Sequence, residues 1–361
     1  MNLICFAREP VDKSKEIALE SEKDLLKIIG IGTNDYYMTD IEICPDETLH
    51  VTVYNRTKPM YSSNGSNVIL MTHGYAGWGN SVYKILPYLI DHYHIIIFDL
   101  PGLAFSSRNF KQPFSCIQTC IDFFIDRIEM LTEKLGIERF HVIGHSMGAY
   151  LFTHYTNKFS SKVLKLVLLS PPGTTSPKEN EKELFEQRIL KKSKIAGFLL
   201  NRFNKSVFEN KRSPFEFIIS PIIPFLVRNY LKKRNMNLNK EEERNFLNLQ
   251  KYFLSQSQKS EKSLGFLFYY GAKSERPLIN VFQENWIFNP NTLILFGRQD
   301  QMDFNDFAEE LSTQSLNMRI EFIEDSDHMF IFQKPEETSI KIKEFIGLSC
   351  FTNSHLSSFF I

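Results

Sequence analysis

Ser146 stands in the segment Gly-His-Ser-Met-Gly, with Gly144 and Gly148 two positions before and after it. This spacing is typical of a nucleophilic serine at a sharp turn between a strand and a helix, where only small neighbours leave room for the strained backbone. The same five-residue pattern also occurs by chance. A nucleophilic serine needs a base, an acid and an oxyanion hole, so the rest of the sequence must supply these groups.

A candidate base and a candidate acid follow two late apolar segments. His328 comes after "RIEFIED" and would take the proton of the serine. Asp300 comes after "NTLILFG" and is the preferred acid, with Asp303 as the alternative. The chain order serine, acid, histidine is the one that accompanies a serine on such a turn. The acid would hold the histidine in its working tautomer and stabilise the imidazolium.

The oxyanion hole is predicted from two backbone amides. Met147 follows the serine and opens a helix whose positive end points at the same place. The second amide should come from "HGYAGW", which follows an early strand; Tyr75 is the preferred donor and Ala76 the next choice. Gly74 and Gly77 would let this loop come close to the serine. Together, the four elements favour a serine hydrolase.

Other polar groups are assigned structural roles or none. His73 belongs to the oxyanion loop and is interpreted as structural, and His145 is interpreted as a packed or solvent-edge neighbour of the nucleophile. No His-Glu-x-x-His segment indicates zinc, and "GIGTNDY" lacks the third glycine of a dinucleotide-binding loop. We therefore predict neither a metal nor a cofactor. Three further histidines show no partner pattern: His92, His94 and His141.

The elements that must position these residues alternate along the chain. Apolar segments such as "NVILMT", "YHIIIFDL", "FHVIGH", "VLKLVLL" and "NTLILFG" are separated by stretches with helical spacing, among them "CIDFFIDRIEMLTEKLG", which Gly136 should end. Continuous apolar strands between helices are typical of a parallel sheet that is covered on both faces. The predicted fold is α/β, with a mostly parallel central sheet and helices on both sides.

One interval breaks the alternation and sets the predicted domain organisation. The stretch from Gly173 to about Asn289 is too long for a structureless loop, so it should form a mostly helical cap. We predict an N-terminal helix and strand region at 1–67, a core in two parts at 68–172 and 290–347, the cap at 173–289, and a C-terminal tail at 348–361.

Composition excludes some classes of function. Lys plus Arg and Asp plus Glu number 42 each, so no net charge favours binding to nucleic acid. The five cysteines are odd in number and form no Cys-x-x-Cys pair, which favours a reducing compartment. Neither a signal peptide nor an apolar run of about 18 residues is present, so we expect a cytoplasmic protein with at most peripheral membrane contact. The 33 phenylalanines leave some for an acyl-chain pocket or a lipid-facing surface.

With these motifs, the chain from roughly residue 60 to residue 347 resembles one α/β-hydrolase subfamily. That subfamily contains the comparative-gene-identification lipase coactivator, the N-acyl-phosphatidylethanolamine lipases, yeast cardiolipin deacylase and related plant lipases. The similarity includes "HGYAGW", "FDLPGLAFSSR", "GHSMGAYL" and "LSPPG" in the core. In the cap it includes "SPFEFIISPIIPFLVRNYLKKR" and "YFLSQSQKSEKSLGFLFYYGAKSERPL".

The resemblance implies an acyl-ester hydrolase that acts on phospholipids or lysophospholipids. Some members are reported as lysophosphatidic acid acyltransferases, and one that has lost its serine serves as a lipase coactivator, so both remain alternatives. The family's His-x-x-x-x-Asp, linked to acyl transfer, reads "HMFIFQ" here, with Gln333 in place of the aspartate. Ala104 replaces a usual glycine in "DLPGLAF", and Asp327 replaces the glycine that commonly precedes the histidine; Asp327 would either raise the basicity of His328 or only lie exposed.

The cap also carries a composition that suits lipid contact. "FEFIISPIIPFLV" is strongly apolar and is flanked by basic residues, a combination found where proteins dock on anionic membranes. The other interpretation is that these apolar residues pack inside the cap. The expected partners are a lipid substrate, an intracellular membrane, lipid droplet or mitochondrial surface, and a lipase or droplet protein. The flanking basic residues are Lys211, Arg212, Arg228, Lys232 and Lys233.

Overall fold

The computed structural model describes most of the chain in ten ranges. These are residues 12–54, 67–110, 114–190, 202, 204–216, 220–256, 259–284, 291–302, 307 and 318–347. The alternative acid Asp303 and the predicted tail at 348–361 therefore lie outside the described residues.

A single eight-stranded sheet forms the centre of the fold, in the order β1-β2-β4-β3-β5-β6-β7-β8. The six strands from β4 to β8 in this order run parallel, and β1 and β2 form an antiparallel hairpin at one edge. The prediction of a mostly parallel sheet is therefore confirmed. The strands are β1 (Tyr36–Cys44), β2 (Glu47–Tyr54), β3 (Val68–Thr72), β4 (His94–Phe98), β5 (Phe140–His145), β6 (Val163–Leu169), β7 (Asn291–Gly297) and β8 (Met318–Ile323).

Helices cover both faces of this sheet because the central strands are apolar on both sides. One face packs against α2 (Ile117–Leu135), α3 (Met147–Lys158) and α8 (Leu278–Glu284). The other packs against α1 (Lys13–Ile28), a 3₁₀ helix at Gly79–Tyr88 and the C-terminal helix α10 (Pro335–Gly347). Gly136 ends α2 with φ of +64°, as its position in the sequence predicts.

The described residues between β6 and β7 form helices joined by turns and irregular stretches. The α-helices of this segment are α4 (Glu181–Leu190), α5 (Ile223–Lys233), α6 (Lys240–Ser255), α7 (Ser263–Leu267) and α8. Helix α6 packs against the N-terminal helix α1, where the Asn248 amide donates to Ser21 Oγ at 3.1 Å. The short helix α9 (Phe330–Gln333) follows β8. Within the described ranges, every helix is too short or too polar to cross a membrane.

Candidate active site

Ser146 lies on a strained turn between β5 and α3. Its φ of +51° and ψ of −121° place it in a region that side chains other than glycine rarely adopt. A Cβ on Gly144 would lie 2.6 Å from the backbone of Gly148, and a Cβ on Gly148 would lie 2.6 Å from the carbonyl oxygen of His73. A side chain at either glycine would therefore clash with neighbouring backbone. The turn presents the serine hydroxyl at the carboxyl end of the sheet.

His328 reaches this serine from the loop after β8. Its Nε2 lies 3.1 Å from Ser146 Oγ, and its side chain is 10% exposed. This distance suits a base that accepts the hydroxyl proton. His145 lies beneath, with its Nε2 3.2 Å from the carbonyl oxygen of His328. Burial lowers the pKa of His145 to about 3, so that this ring is neutral and supports the loop.

Asp300 follows β7 and lies on the other side of His328. Its Oδ1 is 3.3 Å from His328 Nδ1, and its side chain is fully buried. Burial would raise the pKa of this carboxyl, but hydrogen bonds from His328, from Ser170 and from the Met302 amide at 3.0 Å outweigh burial and lower it. Asp300 is therefore ionised and orients the histidine. The structure brings together the serine, histidine and first-choice acid that the sequence singles out.

Ser170 is a part of this arrangement that the sequence analysis missed. Its hydroxyl oxygen lies 2.6 Å from His328 Nδ1 and also contacts the carboxylate of Asp300. When Nε2 accepts from Ser146, Nδ1 carries the proton and donates to Ser170, which in turn donates to Asp300. Ser170 is fully buried, at the carboxyl end of β6 between β5 and β7, with φ of +53°. The sequence feature that could have identified Ser170 is its position at the end of a central parallel strand, in "LLSPP".

The loop after β3 approaches the serine closely enough to supply an amide to the oxyanion. A Cβ on Gly74 would lie 2.7 Å from Ser146 Cβ, so Tyr75 follows a residue that touches the nucleophile. Met147 begins α3, and the first amides of a helix have no acceptor within it. His73 fixes this loop to the one after β4, since its Nδ1 donates to Gly74 O at 2.7 Å and its Nε2 accepts from the Leu100 amide at 3.0 Å. His73 is thus structural, as predicted.

The helical segment between β6 and β7 holds the same loop from above. The Tyr75 hydroxyl donates to the carbonyl oxygen of Glu261 at 2.7 Å, and its ring stacks on Phe215 with centroids 5.6 Å apart. The Gln250 amide donates to Ala76 O at 3.1 Å. These contacts couple the position of the predicted oxyanion donors to the segment that covers them.

An apolar cavity of about 380 Å³ opens above Ser146 and His328. Its volume lies in the range of sites for small organic ligands. Among the described residues, no Lys, Arg, Asp or Glu lines it. Such a wall favours a hydrocarbon chain over a charged group. The apolar and aromatic lining residues are Tyr75, Ala76, Trp78, Phe215, Leu226, Val227, Tyr230, Phe246, Leu254, Met329, Ile331 and Phe332.

Three residues depart from the pattern of the subfamily that the sequence resembles, and the structure gives each of them a defined place. Asp327 pairs with Arg234, with Oδ2 and Nη1 3.2 Å apart, and its Oδ1 accepts from the Met329 amide at 2.8 Å. Gln333 accepts from the Asp327 amide at 2.8 Å and donates to Arg234 O at 2.6 Å. Ala104 has φ of +47°, which explains why a glycine suits its position. Asp327 thus joins the histidine loop to the end of α5.

The remaining sequence candidates lie apart from the serine. His94 and His141 lie near the amino ends of β4 and β5, whereas Ser146 follows the carboxyl end of β5. His92 lies in the turn before β4. In the described part of the chain, no cluster of His, Cys, Asp and Glu side chains could hold a metal ion.

Comparison with known proteins places the chain beside lipid enzymes and other hydrolases. The profile of the alpha/beta hydrolase fold family matches residues 67–335. The chain is 25% identical over 281 residues to the human monoacylglycerol lipase ABHD6, covering 77% of this chain and 75% of that protein. It is 23% identical over 292 residues to a 1-acylglycerol-3-phosphate O-acyltransferase of Arabidopsis thaliana, covering 78% and 67%.

A third relative matches more strongly over a shorter stretch. The abhydrolase domain-containing protein abhd-5.2 of Caenorhabditis elegans is 31% identical over 140 residues, which are 38% of this chain and only 29% of that protein. Among solved structures, a serine hydrolase of a Cycloclasticus bacterium superimposes with a TM-score of 0.63 at 16% identity, covering 88% of this chain and all of that one. This last likeness bears on the fold alone.

Proposed function

Because the chain belongs to the family of alpha/beta hydrolase fold proteins, we propose that it is a serine hydrolase that cleaves acyl esters of phospholipids or lysophospholipids. The observation that carries the proposal is the 3.1 Å approach of His328 Nε2 to Ser146 Oγ beneath an apolar cavity. A base beside a serine on a strained turn supplies the chemistry, and the cavity suits an acyl chain.

The reaction begins when Ser146 Oγ attacks the ester carbonyl carbon and His328 Nε2 takes the hydroxyl proton. The carbonyl electrons move to the oxygen, which the amides of Tyr75 and Met147 stabilise as an oxyanion. When this tetrahedral intermediate collapses, the bond between the carbonyl carbon and the alcohol oxygen breaks, and the alcohol leaves with the proton from His328. Water then attacks the acyl-enzyme with His328 as base, and the fatty acid leaves as the proton returns to Ser146. Asp300 stabilises the imidazolium in both steps.

The cavity supports a lipid substrate bound by its hydrocarbon chain. The absence of charged side chains in its described lining means that a phosphate or a polyol would stay at the mouth, outside the apolar wall. The names of two relatives, a monoacylglycerol lipase and a 1-acylglycerol-3-phosphate O-acyltransferase, support a substrate with a single acyl chain. We also propose that the chain belongs to the lipase-coactivator subfamily and that it contacts an intracellular membrane, a lipid droplet or the mitochondrial surface.

A lysophosphatidic acid acyltransferase is the second candidate, which the name of the Arabidopsis relative favours. Here a lysolipid hydroxyl, instead of water, would take the acyl group. Gln333 weighs against this candidate, because its side chain bridges the Asp327 amide and Arg234 O, with no carboxylate at that place.

Fatty-acid release tests the proposal. The purified chain and its Ser146→Ala variant are incubated with a panel of monoacylglycerol, lysophospholipids and diacyl phospholipids. We expect release from the wild type and a loss of about 10⁴-fold or more in the variant, because the nucleophile is gone. A folded wild type that releases nothing from the whole panel would refute hydrolysis. Acyl transfer from acyl-CoA would then support the second candidate, and inactivity in both assays would leave a non-catalytic scaffold.

A further inference from the structure

Helix α5 exposes a row of large apolar side chains to solvent. Phe225 is 68% exposed, Tyr230 41%, Ile222 39% and Leu226 38%. Ile222 directly precedes α5, and the spacing of the four residues puts them on one side of the helix. Ile223, Val227 and Leu231 lie on the adjoining side of the helix and are buried. Within its described residues, the apolar stretch "FEFIISPIIPFLV" is thus divided, with some side chains buried and others exposed.

This exposed row is continuous with the cavity above Ser146. Leu226 and Tyr230 belong to the row and also line the cavity, together with Val227 from the same helix. A hydrocarbon chain that moves from a lipid surface over α5 to the serine would therefore contact apolar side chains along its path. Phe225, the most exposed member, lies outside the cavity lining.

The charges on α5 have one sign. Its sequence contains Arg228, Lys232 and Lys233 and no acidic residue. Arg228 is paired with Glu243, with Nε and Oε1 2.7 Å apart. Lys232 and Lys233 are exposed and, among the described residues, neither forms an ion pair. Two unpaired cations beside an exposed apolar row complement an anionic phosphate layer above hydrocarbon.

We infer that α5 docks this protein on the surface of an anionic phospholipid bilayer, with the mouth of the cavity facing the membrane. Ile222, Phe225, Leu226 and Tyr230 enter the boundary between head groups and acyl chains, and Lys232 and Lys233 bind the phosphates. The inference rests on the proposed function for its purpose, which is delivery of a lipid ester to Ser146. The binding itself does not depend on hydrolysis and is measured without it.

The test uses the full chain with Ser146→Ala, so that the vesicles stay intact. Sedimentation is measured with vesicles of phosphatidylcholine alone and with vesicles that also contain phosphatidylglycerol. We expect stronger binding to the anionic vesicles. Phe225→Ser should weaken it about tenfold or more, because a buried aromatic side chain is lost from the lipid. Replacing both lysines by glutamine should weaken it about fivefold for each charge and remove the preference for phosphatidylglycerol.

Ile17→Ser is the matched control, because Ile17 is 54% exposed on α1 and lies outside the row. Hydrolysis of a water-soluble short-chain ester by Phe225→Ser in the otherwise wild-type chain checks the fold and the site, and we expect it to be unchanged. Equal binding by Phe225→Ser and Ile17→Ser would overturn the inference. So would a wild type that binds neither kind of vesicle, or that binds only a neutral oil emulsion. Vesicle binding without any ester hydrolysis would support the docking surface and refute the proposed function.

Discussion

Replacement of Ser170 by glycine should lower the rate of ester hydrolysis without lowering substrate affinity. The Ser170 hydroxyl accepts from His328 Nδ1 at 2.6 Å and contacts Asp300, whereas the direct distance from Nδ1 to Asp300 Oδ1 is 3.3 Å. Without this hydroxyl, the imidazolium keeps only the longer contact. Ser170 does not line the cavity, so the substrate binds as before.

The size of the effect follows from the hydrogen bond that is lost. A hydrogen bond to a charged group contributes about 1.5–3 kcal/mol, and in the proposed reaction His328 becomes charged when it takes the proton of Ser146. At about 1.4 kcal/mol for each factor of ten, kcat should fall about 10- to 150-fold. The loss should be smaller than the roughly 10⁴-fold that follows when the acid itself is replaced by its amide. Asp300→Asn therefore gives the lower reference point.

Two substitutions separate this role from a general loss of stability. Ser170 has φ of +53°, a conformation that glycine adopts freely but that costs other residues about 1–2 kcal/mol. Ser170→Gly should therefore unfold at a higher urea concentration than Ser170→Ala, although both lack the hydroxyl and both should have the same reduced kcat. The assay is the steady-state hydrolysis of a soluble ester, with urea unfolding in parallel. A kcat within twofold of wild type for both variants would refute the role of Ser170. A lower kcat for Ser170→Ala than for Ser170→Gly, in the order of their stabilities, would refute it as well.

Three further perturbations test the arrangement around the site. Gly74→Ala puts a Cβ 2.7 Å from Ser146 Cβ, which must displace the loop after β3, so kcat for a soluble ester should fall about 100-fold. Near-normal turnover would show that this loop does not bind the oxyanion. Gln250→Leu removes the 3.1 Å hydrogen bond to Ala76 O and should lower kcat about tenfold in the same assay. An unchanged kcat would show that the contact between α6 and the loop after β3 does not affect turnover. Burial opposes protonation of His50, but the 2.6 Å contact with Asp40 and nearby carboxylates raise its pKa to about 9. The free energy of unfolding should therefore fall as the pH rises from about 6.5 to 9. In urea unfolding the fall should be about 1–2 kcal/mol, because solvent screens the part-exposed Asp40. Asp40→Asn should make this fall shallower, and an equally steep fall in the variant would contradict the role of Asp40.

Much of the fold could be predicted because its signals are local. A central strand such as β3 or β4 is an unbroken apolar run, since a parallel sheet covered on both faces buries both sides of each strand. The end of α2 at Gly136 and the turn at Ser146 follow from backbone conformations that few residues adopt. His328 and Asp300 could be chosen because the carboxyl ends of parallel strands meet at one edge of the sheet.

In helix α5, the local sequence pattern does not predict which side chains are buried. "FEFIISPIIPFLV" reads as one apolar run, but within its described residues Ile223 and Val227 are buried whereas Ile222 and Phe225 are exposed. A helix turns its side chains through about 100° per residue, so a uniformly apolar sequence gives no indication of which side meets the core. Only the packing of α5 on its neighbours decides this.

By itself, the sequence determined the class of fold, and it predicted the turn at Ser146 and the two side chains, His328 and Asp300, that the structure places beside it. Each of these predictions depends on residues near it in the chain. The tertiary structure alone decided that Ser170 stands between His328 and Asp300, and that Gln250 holds a loop 174 residues before it. These contacts join segments that are distant in sequence, and they form only when the whole sheet and its covering helices pack. Side-chain packing in three dimensions sets such distances, and no periodicity along the chain records them.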